Sequence, residues 1–549
     1  MKRIRSVALA AAVITATACG TTEKKPSSQA TPVPAGTAVA HATPSAVQGS
    51  YEPDPVSEAY SGLNVVNGKP YSDMFFKHFG VNPTIDTDEE DTSTFAIDVD
   101  TASYSVSRSY LNRGNLPEED AVRVEEFVNA FNYDYATPED GAFSVQVEAF
   151  PSPNRTGYHV LHVGLKGKDV SKDARKNANL VFVIDVSGSM ASENRLGLVK
   201  AALRLLVDEL DERDTIGIVV YGSDARKILD PTPASDKDRI MGAIDSLTTD
   251  GSTNVQAGLK VGYKMAQKNF QKDQVNRIVL CSDGVANNGV TNADKIFATV
   301  KEEAKDGITI STVGFGMGNY NDVLMERLAD VGDGNYSYVD RIEEAKKIFQ
   351  EELTGTLQVI AKDVKIQLEF DKKKVSRYRL LGFENRRLEK HQFDDDKIDA
   401  GEIGAGHTVT AMYEVKLTDP AQGKEGNFAT LRIRHKSPEG GASAKIEKQI
   451  PYSIVRADYA KTSAPTRLSF VAAAFAEKLR GSYWVRNLEW NHLVGLWEDI
   501  PGPLRNRSDV QELGELIRKS RNLDKRGDKY EQEYGPVAGM DFDNVPVLQ

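Results

Sequence analysis

Between residues 178 and 357 near-continuous apolar runs alternate with amphipathic stretches, and few folds can accommodate that pattern. The runs at 180–185, 215–221, 277–282, 308–315 and, more briefly, 336–339 have the length of strands. Helical periodicity fills the intervals, near 194–210, 236–247, 253–269, 293–305, 321–330 and 343–356. A strand that is apolar on both sides must be covered on both faces, and parallel strands need a crossover between them. The segment is therefore predicted to be a doubly wound α/β domain.

The flanks follow a different period. Phe143, Val145, Val147 and Ala149 alternate with polar residues, as do Val364, Ile366, Leu368 and Phe370, then Val409 to Leu417, then Ala429, Leu431 and Ile433. Period two marks half-buried strands, so 141–177 and 358–457 are predicted to form one antiparallel β-sandwich into which the α/β domain (178–357) is inserted. Residues 58–140 read as an α+β region. It holds an aromatic patch (Met74, Phe75, Phe76, Phe79), an acidic run from Asp86 to Asp91 read as a solvated linker, a strand at 95–99, and helices near 101–113, capped by Asp100, and 118–132. Residues 458–549 read as helical. Leu468, Val471, Ala472, Phe475 and Leu479 form one stripe and Val510, Leu513, Leu516 and Ile517 another, the second after a possible capping box of Ser508 and Gln511. Trp484, Trp490 and Trp497 lie between the stripes and are expected to pack against the body.

The chain opens on a basic head (Lys2, Arg3, Arg5) and an apolar stretch, Val7 to Ala18, too short to span a bilayer. That is the pattern of a signal peptide over 1–19. Ala16-Thr17-Ala18-Cys19 resembles a bacterial lipobox, with Ala16 where Leu is usual. The resemblance implies lipidation of Cys19, and ordinary cleavage near Ala18 is the alternative. Residues 20–57, rich at first in Thr, Pro, Ala and Ser, read as a disordered tether. Gly20, in place of an Asp, implies the outer membrane by similarity to sorted lipoproteins of Gram-negative cells.

A formal net charge of −12 argues against a nucleic-acid binder and suits divalent cations. The two cysteines, Cys19 and Cys281, give no disulfide framework and no zinc cluster. With eight histidines there is neither a His-Glu-x-x-His motif nor a Gly-x-Ser-x-Gly elbow, so catalysis is not expected.

The chemistry concentrates after two of the α/β strands. The run VFVID delivers Asp185 to the carboxyl edge of a parallel sheet, where ligand sites of open α/β folds lie. The next turn carries Ser187 and Ser189 around Gly188. The run RIVLCSD delivers Asp283, and the loop DGSTN brings Thr253 ahead of a helix. These loops offer only oxygen, which suits Mg²⁺, or else Ca²⁺ or Mn²⁺. Two carboxylates would balance the ion, and an open coordination position could accept a carboxylate from another molecule.

This pentad resembles the metal-ion-dependent adhesion site of von Willebrand factor type A domains: Asp-x-Ser-x-Ser, then Thr, then Asp. The resemblance implies that Ser187 and Ser189 bind metal directly, Thr253 directly or through water, and Asp185 and Asp283 mainly through water, with a partner's Glu or Asp completing the shell. Beyond this domain, roughly residues 55–525 resemble bacterial lipoproteins of the YfbK type, in STFAIDVDTASY, AVRVEEFVNAFNYDY, SPNRTGYHVLHVGLKGK, LLGFENRRL and AGHTVTAMYEV. The function expected is that of an exported, lipid-anchored protein gripping an unknown protein partner that presents an acidic residue. A purely stabilising metal in an envelope-assembly protein is the alternative, and a hydrolase a remoter one.

Overall fold

A computed structural model describes residues 74–530, apart from 285–289, 319, 353–354, 356, 399 and 419–424. The signal segment with Cys19, the tether, the start of the 58–140 region and the last residues, 531–549, lie outside the described residues.

The α/β domain is built on one six-stranded sheet in the order Tyr336–Val339, Ile308–Phe315, Val275–Ser282, Ala178–Asp185, Thr215–Tyr221, Ala225–Pro233. Every neighbouring pair is parallel except the last, which is antiparallel. Ala178–Asp185 is buried along its whole length because its side chains feed two cores. Leu180, Phe182 and Ile184 pack with the helix Arg195–Glu209 on one face. Val181 and Val183 pack with the helix Val255–Lys268 on the other. The first strand, Ala178–Asp185, lies between Thr215–Tyr221, which follows it in the chain, and Val275–Ser282, which follows only later. That is where the strand order reverses, and such a reversal opens a crevice at the carboxyl ends.

Around this domain stand two antiparallel sheets. One runs Ile85–Asp86, Val375–Leu381, Thr408–Leu417, His159–Gly167, Phe143–Pro151. The other runs Arg387–Leu388, Thr92–Ala96, Val359–Phe370, Asn427–Lys436, Ala444–Pro451, with Ile403–Gly404 beside Val359–Phe370. Their facing side chains share one core, including Leu161, Val163, Ile366, Leu368, Ala411 and Tyr413. His159–Gly167 precedes the α/β domain and pairs with Thr408–Leu417, which follows it, so the α/β domain is inserted in the sandwich.

The helices Ala464–Leu479, Trp490–Glu498 and Ser508–Leu523 pack on Ala102–Asn112 and Val124–Asn129 in a common core that holds both predicted stripes. The three tryptophans pack against the body: Trp497 is buried and the indoles of Trp484, Trp490 and Trp497 donate to Asn82 O, Asp524 Oδ2 and Val510 O. Glu477 fastens this layer to the sandwich, accepting from Arg379 and Arg480, whose guanidinium groups hold its carboxyl down at about 2 despite burial.

Several local expectations are corrected. Asp100 does not cap the helix Ala102–Asn112: Thr101 is the N-cap residue, and Asp100 accepts from Tyr336 N at 2.9 Å. Ser508 and Gln511 form no capping box: Arg507 is the N-cap residue, with Ser508 already inside the helix, and the side-chain amide of Gln511 donates to Arg505 O. The strand expected at 95–99 is Thr92–Ala96, and it belongs to the sandwich, paired with Val359–Phe370. The acidic run is tied down: Asp86 pairs with Arg377, and Asp91 with Lys372 and Lys390. For Asp100, the Thr92–Ala96 strand and the acidic run, a long-range partner prevails over the local pattern. No helix among the described residues is long and apolar enough to cross a membrane.

Candidate metal centre

Asp185 ends the buried strand Ala178–Asp185, and hydrogen bonds fix both its oxygens. The Ser187 amide donates to Oδ1 at 2.8 Å, and the Ser282 hydroxyl donates to Oδ2 at 2.9 Å. The Gly284 amide in turn donates to Ser282 Oγ at 3.2 Å. Ser187 Oγ and Ser189 Oγ lie 3.1 Å apart, as two hydroxyls on one tight turn should. Asp283 follows the adjacent strand, Val275–Ser282, and is 2 % exposed, against 0 % for Asp185.

The Thr253 loop arrives through its backbone. Asp250 N donates to Val186 O at 2.5 Å, and Gly188 N donates to Gly251 O at 3.1 Å. Two glycines permit this approach. A Cβ on Gly222 would sit 2.1 Å from Asp250 O, and Gly251, at φ +79°, would put one 2.4 Å from Ser223 Oγ. Beyond Thr253, Asn254 caps the helix Val255–Lys268 by accepting from Ala257 N at 3.1 Å. Thr253, half-buried, is thus held between two anchored neighbours, although no hydrogen bond among the described residues joins its hydroxyl to Ser187 or Ser189.

The electrostatics set this edge apart. Burial, and then the charge of Asp283, push the Asp185 carboxyl up to about 6, in spite of the hydrogen bonds from Ser187 and Ser282. Burial and the charge of Asp185 also keep the Tyr221 phenol protonated. Like charges held close in a dry place are costly, and a cation between them relieves the cost. The donors are carboxylates and hydroxyls, a set that fits a hard divalent cation.

Two residues of this edge escape sequence reasoning. Ser282 reads as one more strand position, yet it orients Asp185. Arg195 reads as an ordinary helix-start residue, yet its Nη1 donates to Asp283 Oδ2 at 2.6 Å and its Nη2 donates to Met317 O. Only the spacing of Ser282 directly before Asp283 could have hinted at the first; nothing local signals the second.

A separate acidic group, Asp98, Asp100 and Asp330, has its oxygens within 4.8 Å of one another. Arg386 sits among them, 3.1, 3.5 and 3.0 Å from the three in that order.

Comparison with known proteins agrees with this architecture. The von Willebrand factor type A domain model matches residues 180–285, a model described as von Willebrand factor matches 70–162, and the model of the YfbK C-terminal region matches 355–523. Type A domains often mediate metal-dependent protein interaction and commonly bind a divalent metal at the adhesion site. YfbK of Escherichia coli strain K12 is 38% identical over 470 residues, covering 80% of each chain. Inter-alpha-trypsin inhibitor heavy chain H3 of Mesocricetus auratus is 27% identical over 172 residues, 30% of this chain and 19% of that one. A von Willebrand factor type A structure from Catenulispora acidiphila aligns at a TM-score of 0.42 and 16% identity, over 71% of this chain and 91% of that one. With a relative so similar over most of both lengths, and with models matching on either side of the inserted domain as well as within it, the chain belongs to the YfbK family of bacterial von Willebrand factor type A domain proteins.

Proposed function

We propose that this protein is an exported binding protein, lipid-anchored at Cys19, in which Asp185, Ser187, Ser189, Thr253 and Asp283 hold a divalent metal that grips an acidic residue of a protein partner. Mg²⁺ is the first choice of ion, with Ca²⁺ and Mn²⁺ as alternatives. The observation that carries this reading is the pair of buried carboxylates at the strand-order reversal, one of them pushed up to about 6, beside two hydroxyls 3.1 Å apart. The aspartates supply the charge that retains a cation, and the hydroxyls supply neutral ligands that leave it electrophilic. If the cell is Gram-negative, Gly20 after the lipidated cysteine directs the protein to the outer membrane. The reading is of binding and not catalysis: the Ser187 hydroxyl meets Ser189, and no histidine among the described residues hydrogen-bonds to it.

Metal addition tests the first half. At a hundredfold excess over its Kd, free Mg²⁺ should stabilise the protein by about 2.7 kcal/mol in thermal melts, and Asp185→Ala or Ser187→Ala should abolish the gain. Recovery of a partner from envelope extracts, compared with and without chelator and between wild type and Asp283→Ala, tests the second. Undiminished recovery in chelator would refute the metal grip. Lower thermal stability of Asp283→Ala with unchanged recovery would favour a metal that only rigidifies the loops, the second reading that the repulsion between Asp185 and Asp283 supports.

A further inference from the structure

Arg195 brings a positive charge to an edge that the reading above assigns to a metal cation. It opens the helix Arg195–Glu209 and is 7 % exposed. Its fork is used on two sides, Nη1 to Asp283 Oδ2 at 2.6 Å and Nη2 to Met317 O. Its stem lies against Gly316, at φ +83°, where an added Cβ would come 2.3 Å from Arg195 Nε and 2.5 Å from its Cδ. The helix after the serine turn, the end of the strand Val275–Ser282 and the turn at 316–318 therefore hold one guanidinium in place. A planar fork so confined is a fixed charge and not a surface arginine that has swung inward.

The charge count gives this placement a consequence. Asp185 and Asp283 contribute two negative charges, and a divalent ion alone would cancel them. With Arg195 included, the loaded site carries a net charge of plus one. In a buried setting each unit of charge is felt strongly. Resting on the metal-binding reading, we infer that Arg195 is a positioning residue that keeps the loaded site cationic, weakening its hold on the metal while selecting a carboxylate over a neutral ligand. The same side chain orients Asp283, so the bond to Met317 O serves to aim the charge.

The test uses Mn²⁺ as the metal and propionate as the ligand, on the full chain, with propionamide as the neutral counterpart. Calorimetry reads Mn²⁺ affinity, and water-proton relaxation of the Mn²⁺ complex reads displacement of metal-bound water. Arg195→Met and Arg195→Gln are expected to bind Mn²⁺ about tenfold more tightly and to need about tenfold more propionate than wild type, the direction a removed cation dictates. Arg195→Lys, which keeps the charge, should stay near wild type in both, and propionamide should not distinguish the proteins. Gln keeps a neutral polar amide on the buried stem, so it decides the matter if Met prevents folding. Neutral variants that bind Mn²⁺ no more tightly, or accept propionate as readily as wild type, overturn the inference and leave the metal reading intact. Wild type that binds no Mn²⁺ overturns both.

Discussion

At the carboxyl edge of the α/β sheet, Asp185 and Asp283 are buried beside two hydroxyls, and Arg195 reaches only Asp283. At the seam between that domain and the sandwich, Asp98, Asp100 and Asp330 gather around Arg386, which also lies 3.5 Å from Glu326. Both places concentrate negative charge, the first in the interior and the second around the buried Asp100 with Asp98 and Asp330 half-buried beside it. They differ in where the guanidinium sits. Arg386 occupies the centre of its group and pairs with each member, whereas Arg195 flanks its group and bonds Asp283 but neither Asp185, Ser187 nor Ser189. Proximity of carboxylates is thus a poor sign of a metal site by itself. A group already centred on an arginine is a structural joint, and one with hydroxyls beside it and its cation to the side is the better candidate for a ligand site.

The sharpest way to break this comparison is to remove the central arginine. Arg386→Met should cost about 3–5 kcal/mol in urea unfolding, since it removes the guanidinium shared by Asp98, Asp330 and the buried Asp100. The loss should be the same in chelator and in Mn²⁺. A loss that Mn²⁺ reverses would make the seam a second cation site and erase the distinction.

Next in size is the pH response of the open edge in chelator. The Asp185 carboxyl, raised to about 6, binds its proton more tightly folded than unfolded. Its contribution to stability is therefore complete below its unfolded value, about 4, and is lost as pH rises through about 6, a change on the order of 3 kcal/mol. Asp185→Asn should flatten urea midpoints across that window. An unchanged slope would mean that Asp283 and burial do not strain Asp185 as described.

The smallest expected effect sharpens the geometry. Gly222→Ala places a methyl group against Asp250 O, so the 250–253 loop must shift. A cost of about 1 kcal/mol in stability is expected, with several-fold weaker Mn²⁺ binding by calorimetry. Undisturbed metal binding would show that the position of Thr253 matters little.

Much of this organisation was legible in the chain because strong patterns coincide with real burial. The continuous apolar run before Asp185 could only be a strand covered twice, and the alternation at 364–370 and 409–417 marked sheet strands, although the face expected to be wet is covered as well: Lys365, Gln367, Thr410, Met412 and Glu414 are all buried. The insertion followed from the return to period two. What escaped was set by contacts that the local pattern does not carry. Ala225–Pro233 has a mixed burial pattern, two prolines and an exposed face, so the sixth strand of the sheet resembles a loop until its neighbour Thr215–Tyr221 is in place. Asp100 and Ser508 looked like caps because local chemistry favours them there, but Asp100 is drawn to Tyr336 N, while Ser508 already lies inside its helix and Gln511 turns back to Arg505 O. At the candidate site the five oxygen-bearing residues stand out by motif, whereas Arg195 does not, since an arginine that opens a helix looks the same whether it points to water or to Asp283.

The insertion carries a mechanical meaning. The α/β domain leaves the sandwich after His159–Gly167 and rejoins it at Val359–Phe370, strands of opposite sheets. It is clamped at both ends like a beam between two walls. A load applied at the Asp185 edge would be shared between two connections and delivered into both layers of the sandwich at once. Severing either connection alone would still leave the pieces laced together by the pairing of His159–Gly167 with Thr408–Leu417.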